Sequence, residues 1–440
     1  MKRFYRLFAA AMAAFLLLAC FGPGASAAAG FAITNPYAGV DWGTDVPCRG
    51  NLHTHSTLSD GGTNFSEMVE RHYELDYDFL AMTDHGTVDR GWTDLNSAWL
   101  IQTALNLTKS GEPSTPLTQA RWQAISTGAD RCGRGMLRVP FGIEQNPTSL
   151  NNAHVNSFFA DVGHGLLGGT GDYETPVREA NKAGGLCVLN HVGRYTNQDK
   201  KAPKDAYEGF MGNYYIYKIQ RLLEKYPALL GIDINSKTDG ETRNDRKLWD
   251  KLLINLAPAG RNVFGLATSD THSLGGVDTG FLWALMPANN ETNLKACLQA
   301  GAFFAAAHDI KNPDELRQWA QETGLPLGNA WSADRGADEP MITDITVSAG
   351  VITLEAENAL AVHWISDGKV VATGDSIILA DCEGLGAYVR AELFGEGGVL
   401  YTQPFLLAYD GMPKRNPVPW YFIDLGGFLA VLRRIALWFR

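Results

Sequence analysis

Between residues 45 and 310 the apolar positions gather into seven short runs: CRGNLH, YDFLAM, MLRVPFGIE, HVNSFFA, GLCVLNH, LLGIDIN and NVFGLATSD. Each is short, β-type in composition and bounded by turn residues, which predicts strands. Other patterns lie between them. NFSEMVERHYELDY opens on a capping residue, and TPVREANKAG ends on a glycine that suits a helix C-terminus. Strands alternating with helices predict βα units around parallel strands. Residues 91–134, with SGEPSTP inside, read as a loop-bearing insertion on one face.

After about residue 340 the period changes. MITDITVSAGVITLEAE, AVHWISDGKVVATGDSIILA and GAYVRAELFGEGGVLYTQPFLLA alternate apolar and polar positions around glycine-containing turns. This predicts a small antiparallel β-sandwich over 340–410, joined to the α/β part (45–335) by the linker SADRGADEP. The remaining 411–440 form an apolar, basic tail ending in DLGGFLAVLRRIALWFR, with Arg433, Arg434 and Arg440. It is too short and too charged to span a bilayer. It suits either a peripheral helix at a membrane surface or a terminal helix docked on the body.

The N-terminus carries the pattern of a signal peptide over residues 1–27. Lys2, Arg3 and Arg6 precede LFAAAMAAFLLLACF, and Ala25-Ser26-Ala27 fits cleavage. Lipidation at Cys20 is the competing reading, disfavoured by Leu18. An exported chain is expected. At 440 residues, 45% hydrophobic and 19% charged, the composition is that of a globular protein of about two domains. Loss of the three leader cations moves the net charge from −11 to −14, which argues against a duplex nucleic-acid partner. Five cysteines follow the leader with no CxxC pair, so zinc-knuckle chemistry is not indicated. Export would permit one disulfide, for instance Cys48 with Cys132, and Cys187 reads as a packed core thiol.

The chemistry lies at the strand ends. In GNLHTHSTLSDGG, His53 and His55 are two apart, which on a strand points both rings to one side, and Asp60 follows. TDHGT adds Asp84 and His85, GIEQN adds Glu144, and HVNSFFA opens on His154. LNHVGR adds His191 and Arg194, and SDTH adds Asp270 and His272. The C-terminal ends of parallel barrel strands meet on one face, so these groups are expected to converge on metal ions. Asp84 is expected to orient His85 or its loop, Asp270 to take a proton from water, and Arg194 to reach a substrate phosphate. Asp233, in GIDIN, reads as a strand-end cap. His72, His164, His308 and His363 receive no role.

The ordered set HxH, DH, E, H, H and DxH resembles the polymerase and histidinol phosphatase (PHP) family over residues 48–310. The resemblance implies an irregular seven-stranded β/α (TIM-like) barrel with two or three divalent ions, Mn, Zn or Fe. It also implies a partition of ligands. His53, His55, Glu144 and Asp270 would hold the first ion, Glu144, His154 and His191 a second, and Asp60, His85 and His272 a third. Asp60 stands where many relatives carry histidine, which favours a harder ion such as Mn²⁺. The C-terminal strands resemble the appendage of exported, carbaryl-hydrolase-like members. The implied activity is hydrolysis of a small phosphate ester or nucleotide by a hydroxide bridging two ions about 3.5–4 Å apart. The alternatives are a carboxylic or carbamic ester hydrolase using the same centre, and a surface carbohydrate- or polymer-binding module with a silent barrel. Because the sandwich carries no ligand, a chain ending near residue 335 is expected to keep activity.

Overall fold

The structure is a computed structural model describing residues 30–95, 114–145, 153–164 and 173–415, with residues 428 and 432. The leader over 1–27 with Cys20, and the tail arginines, lie outside the described residues. Among them no helix is long and apolar enough to cross a membrane.

The strands begin with β1 (Phe31–Thr34), β2 (Val46–Asn51), β3 (Phe79–Leu80), β4 (Leu137–Arg138) and β5 (Ile143–Gln145). They continue with β6 (Val155–Phe158), β7 (Leu186–Leu189), β8 (Leu229–Asn235), β9 (Phe264–Ala267), β10 (Gly280–Met286) and β11 (Phe303–Ala307). All seven apolar runs contain strands. β7 and β8 are buried at every position, because both faces of that layer are covered. Helix Phe65–Glu74 buries Phe65, Met68, Val69, His72 and Tyr73, one face at helical spacing, and Asn64 caps it through Ser66 N–H. Helix Glu174–Ala183 ends on Gly184, whose φ of 75° is the left-handed conformation that glycine adopts without strain.

The expected closed barrel is not formed as one sheet. The strands β2, β3 and β4 pair in parallel inside an eleven-stranded sheet, whereas β5 to β9 make a separate five-stranded sheet. Only β7, β8 and β9 of the second sheet are parallel; β5–β6 and β6–β7 run antiparallel. Among the described residues no sheet closes on itself. MLRVPFGIE, read as one strand, contributes β4 to one sheet and β5 to the other. Pro140 has no N–H for a ladder, and Phe141 at φ 60° turns the chain out of extended geometry. Two isolated parallel bridges join the sheets, Thr54 with Thr271 and His85 with Glu144. The second bridge joins two expected ligands, and the first lies between His53 and His55 on one side and Asp270 and His272 on the other.

The C-terminal strands are not a detached unit. Strand Gly398–Tyr401 pairs antiparallel with β11, and strand Phe405–Tyr409 pairs antiparallel with β1. β11 therefore alternates between two cores: Phe303, Ala305 and Ala307 face one, Phe304 and Ala306 the other. The second core also holds Ile342, Ile345, Ile352 and Leu354 of a three-stranded sheet (Met341–Ser348, Val351–Glu357, Ser376–Ile378). The SADRGADEP segment is pinned as well, since Glu339 accepts from Trp283 Nε1 at 3.3 Å and contacts His308 Nε2 at 3.1 Å. The five cysteines of the described residues are free thiols, so the Cys48–Cys132 disulfide is not formed, and Cys187 is buried as expected.

Candidate metal centre

Each ligand is delivered by a strand end or the turn after it. Past β2, Asn51 Oδ1 accepts from His53 N–H at 3.1 Å and from Ser269 N–H at 3.3 Å, tying the HTH turn to the segment after β9. The loop from Ser56 to Gly62 then doubles back to present Asp60. A side chain at Gly61 would meet the Ser56 backbone at 2.8 Å, so only glycine allows this fold-back. Asp84 holds the same loop. Its buried carboxylate accepts from Ser56 N–H (2.7 Å), Ser56 Oγ (2.8 Å) and Ser59 Oγ (2.7 Å). Of the two roles expected for Asp84, these bonds match orienting the loop. His191 and Asp270 follow β7 and β9 at φ 29° and 44°, conformations that ordinary residues keep only where the surroundings over-determine them.

The nine expected ligands come together as three overlapping groups: His53, Glu144, His191 and Asp270; His55, Asp60, His85 and His272; and His85, Glu144 and His154. Within each group the ligand atoms lie within 4.8 Å of one another, a spacing that could hold a metal ion. The grouping differs from the expected partition. His191 joins His53 through Nε2, 3.4 Å from Glu144 and 3.5 Å from Asp270. His55 joins Asp60 through Nδ1 at 3.7 Å, while its Nε2 stays 3.1 Å from Glu144 and 3.2 Å from Asp270. His55 thus faces two groups, one ring nitrogen to each.

Glu144 is the common member. Its Oε1 accepts from Asn190 Nδ2 at 2.8 Å and lies 2.8 Å from His154 Nδ1. Its Oε2 lies 3.3 Å from His53, 3.1 Å from His55 and 3.0 Å from His85 Nδ1, with no hydrogen-bond donor. Asp270 Oδ1, 3.2 Å from both His53 and His55, is also buried without a donor. Buried carboxylate oxygens are seldom left unpaired. Two such oxygens, ringed by imidazole nitrogens in a His/Asp/Glu donor set, fit divalent ions.

Burial alone would raise the Glu144 carboxyl, but His154, His53 and His85 hold it well below the usual carboxylate range. Burial is likewise outweighed at Asp270, by His53, His55, His191 and Lys237. Burial pushes His53 down, and takes His154 to about 3 despite Glu144, so His154 stays neutral as a ligand must be. The centre opens on one side. Side chains of His53, His55, Glu144, His191 and Asp270 are at most 1% exposed, against 27% for His272 and 33% for Asp60.

The other residues divide. Arg194 pairs with Glu241 at 2.7 Å on the rim. Asp233 is buried in β8, where it accepts from Thr268 Oγ1 at 3.0 Å, and burial raises its carboxyl. His72 donates from Nδ1 to Met68 O at 2.8 Å and supports Asn51, with burial lowering it to about 4. Three neighbours of the centre have no signal of their own in the sequence. Asn190 is marked only by adjacency to His191. Tyr195 sets its ring 4.3 Å from that of His154, and Lys237 Nζ reaches Asp270 Oδ2 at 2.8 Å.

No family model and no curated protein matches this sequence. Among solved structures, it is similar to a two-domain protein from Bacteroides vulgatus described as containing a predicted PHP-like metal-dependent phosphoesterase. That match has 14% identity and a TM-score of 0.40, over 87% of this chain and 91% of that one. An amidohydrolase from Chromobacterium violaceum, with bound sulfate and no metal, matches at 16% identity and a TM-score of 0.28, over 51% of this chain and 87% of its own. A lesion-specific endonuclease from Pyrococcus furiosus matches at 11% identity and a TM-score of 0.32, over 58% and 56%.

Proposed function

We propose that this chain is an exported, metal-dependent phosphoesterase acting on a small phosphate ester. One observation carries the reading: two buried carboxylate oxygens without donors, Glu144 Oε2 and Asp270 Oδ1, stand among imidazole nitrogens from three chain segments. Two or three divalent ions held there would acidify a water molecule and take up negative charge on a phosphoryl group. The side chains divide the remaining tasks. Glu144 belongs to two of the ligand groups and fixes their spacing, with Asn190 holding its Oε1. Asp270 is the acceptor for the proton of the attacking water. Asp60, His85 and His272 form the open side, where the ester enters. Arg194, on the rim, presents its planar fork to phosphate oxygens. The basic and apolar pattern of residues 1–27 supports export.

The test is turnover by the full chain loaded with Mn²⁺, offered 4-nitrophenyl phosphate, bis(4-nitrophenyl) phosphate and a naphthyl carbamate. Cleavage of a phosphate ester that both EDTA and His191→Ala abolish is the expected result. Cleavage of the carbamate alone would replace this reading with the ester-hydrolase one. Unaltered phosphate-ester cleavage by His191→Ala would refute the assignment of the centre.

A further inference from the structure

Lys237 stands in the polar loop NSKTDGETRND, two residues past the end of β8. Its side chain is 27% exposed while its partner Asp270 is 1% exposed, so the ammonium lies where the buried ligands meet solvent. The turn that puts it there is strained. Lys237, Thr238 and Asp239 have φ of 46°, 56° and 55°, three successive left-handed residues, none of them glycine. Such a run persists only where the surroundings hold it. Here Asp239 is fully buried and takes Arg246 Nη1 at 3.0 Å and Nη2 at 2.8 Å. It also accepts Lys311 N–H at 2.9 Å, and Lys311 Nζ donates to Thr238 Oγ1 at 3.0 Å. A second cation, Arg194, stands beside the same loop. Glu241 Oε2 lies 2.7 Å from Arg194 Nη1 and 3.8 Å from Lys237 Nζ. Two cations therefore share one rim carboxylate, and Asp270, the other partner of Lys237, belongs to the ligand set. With Asp270 and Asp60 committed to the ligand groups, the ammonium and the guanidinium at the mouth of the centre have Glu241 as their remaining carboxylate.

We propose that Lys237 and Arg194 together read the charge of the substrate, selecting a phosphomonoester dianion over a phosphodiester. The inference rests on the phosphoesterase reading and adds the substrate class. A terminal phosphate carries about −1.5 to −2 charge at neutral pH, more than the single charge of a diester, and has three oxygens to share. An ammonium is a compact point charge, suited to the oxygen that a diester would have esterified.

The experiment compares the Mn²⁺-loaded full chain with Lys237→Met and Lys237→Arg. For Lys237→Met, KM for 4-nitrophenyl phosphate is expected to rise about tenfold or more, as for loss of a charge-assisted hydrogen bond. For bis(4-nitrophenyl) phosphate the change should stay below about threefold. Lys237→Arg should recover most of the monoester KM. Calorimetric binding of inorganic phosphate, which needs no turnover, should weaken about tenfold in Lys237→Met with bound Mn²⁺ unchanged. Equal phosphate binding by both forms, or equal losses on both esters, would overturn the proposal. So would loss of Mn²⁺, which would make Lys237 a support for Asp270. Turnover of neither ester by the unaltered chain would refute the phosphoesterase reading, and the phosphate titration would still decide the role of Lys237.

Discussion

Replacing Glu144 with alanine is expected to empty the centre and abolish metal-dependent turnover. Five of the six imidazoles depend on this one carboxylate: Oε2 faces His53, His55 and His85, and Oε1 faces His154 and His191. Losing an outer supporting partner of a metal site costs roughly 10–100-fold in affinity or activity, so losing a ligand shared by two groups should cost more than about 100-fold. The variant also leaves buried rings beside Asp270 as the one remaining buried carboxylate of these groups. Glu144→Gln separates the two effects, since it keeps the volume and one acceptor oxygen but removes the charge. Both variants should lose bound metal, measured by mass spectrometry of the acid digest, and turnover together. Retention of full metal content by Glu144→Ala would contradict its place in the centre.

A chain ending at Arg335 is expected to be insoluble or unfolded, opposite to what the sequence pattern suggests. Strand Gly398–Tyr401 would no longer cover the edge of β11, and β1 would lose its partner strand. Gln403, whose amide both accepts from Gly265 N–H (2.9 Å) and donates to Gly265 O (2.8 Å), would vanish. Arg390 would vanish too, stranding buried Asp250, which it holds at 2.9 and 3.0 Å. Breaking one such buried pair costs about 3–5 kcal/mol. A whole domain is stable by only about 5–15 kcal/mol. Circular dichroism and size exclusion of the truncated chain give the answer, and a soluble chain with full metal content would show that the C-terminal strands are dispensable.

The ligands were legible because strand geometry is local. In HTH the i, i+2 spacing alone puts His53 and His55 on one side, and each later ligand sits beside an apolar run. The grouping was not legible, since which imidazole meets which carboxylate depends on the way β5 to β9 lean against β2 and β3. That the Asp84 bonds go to Ser56 and Ser59 rather than His85 is likewise a matter of how a loop folds back over a strand. Lys237 is one lysine in a polar loop, and its place beside Asp270 comes with the left-handed turn that Arg246 holds through Asp239. The open sheets had a partial signal, as Pro140 in MLRVPFGIE argues against a continuous strand. The join between β11 and residues 398–401 had none, because strand pairing over such a distance leaves no mark in local periodicity.

Whether these side chains hold metal is decided by the number of Mn²⁺ ions that each full-length chain retains after exhaustive dialysis. Two or three per chain are expected, falling sharply in Glu144→Ala while the circular dichroism spectrum is kept. A folded, unaltered chain that retains less than one ion would contradict this expectation.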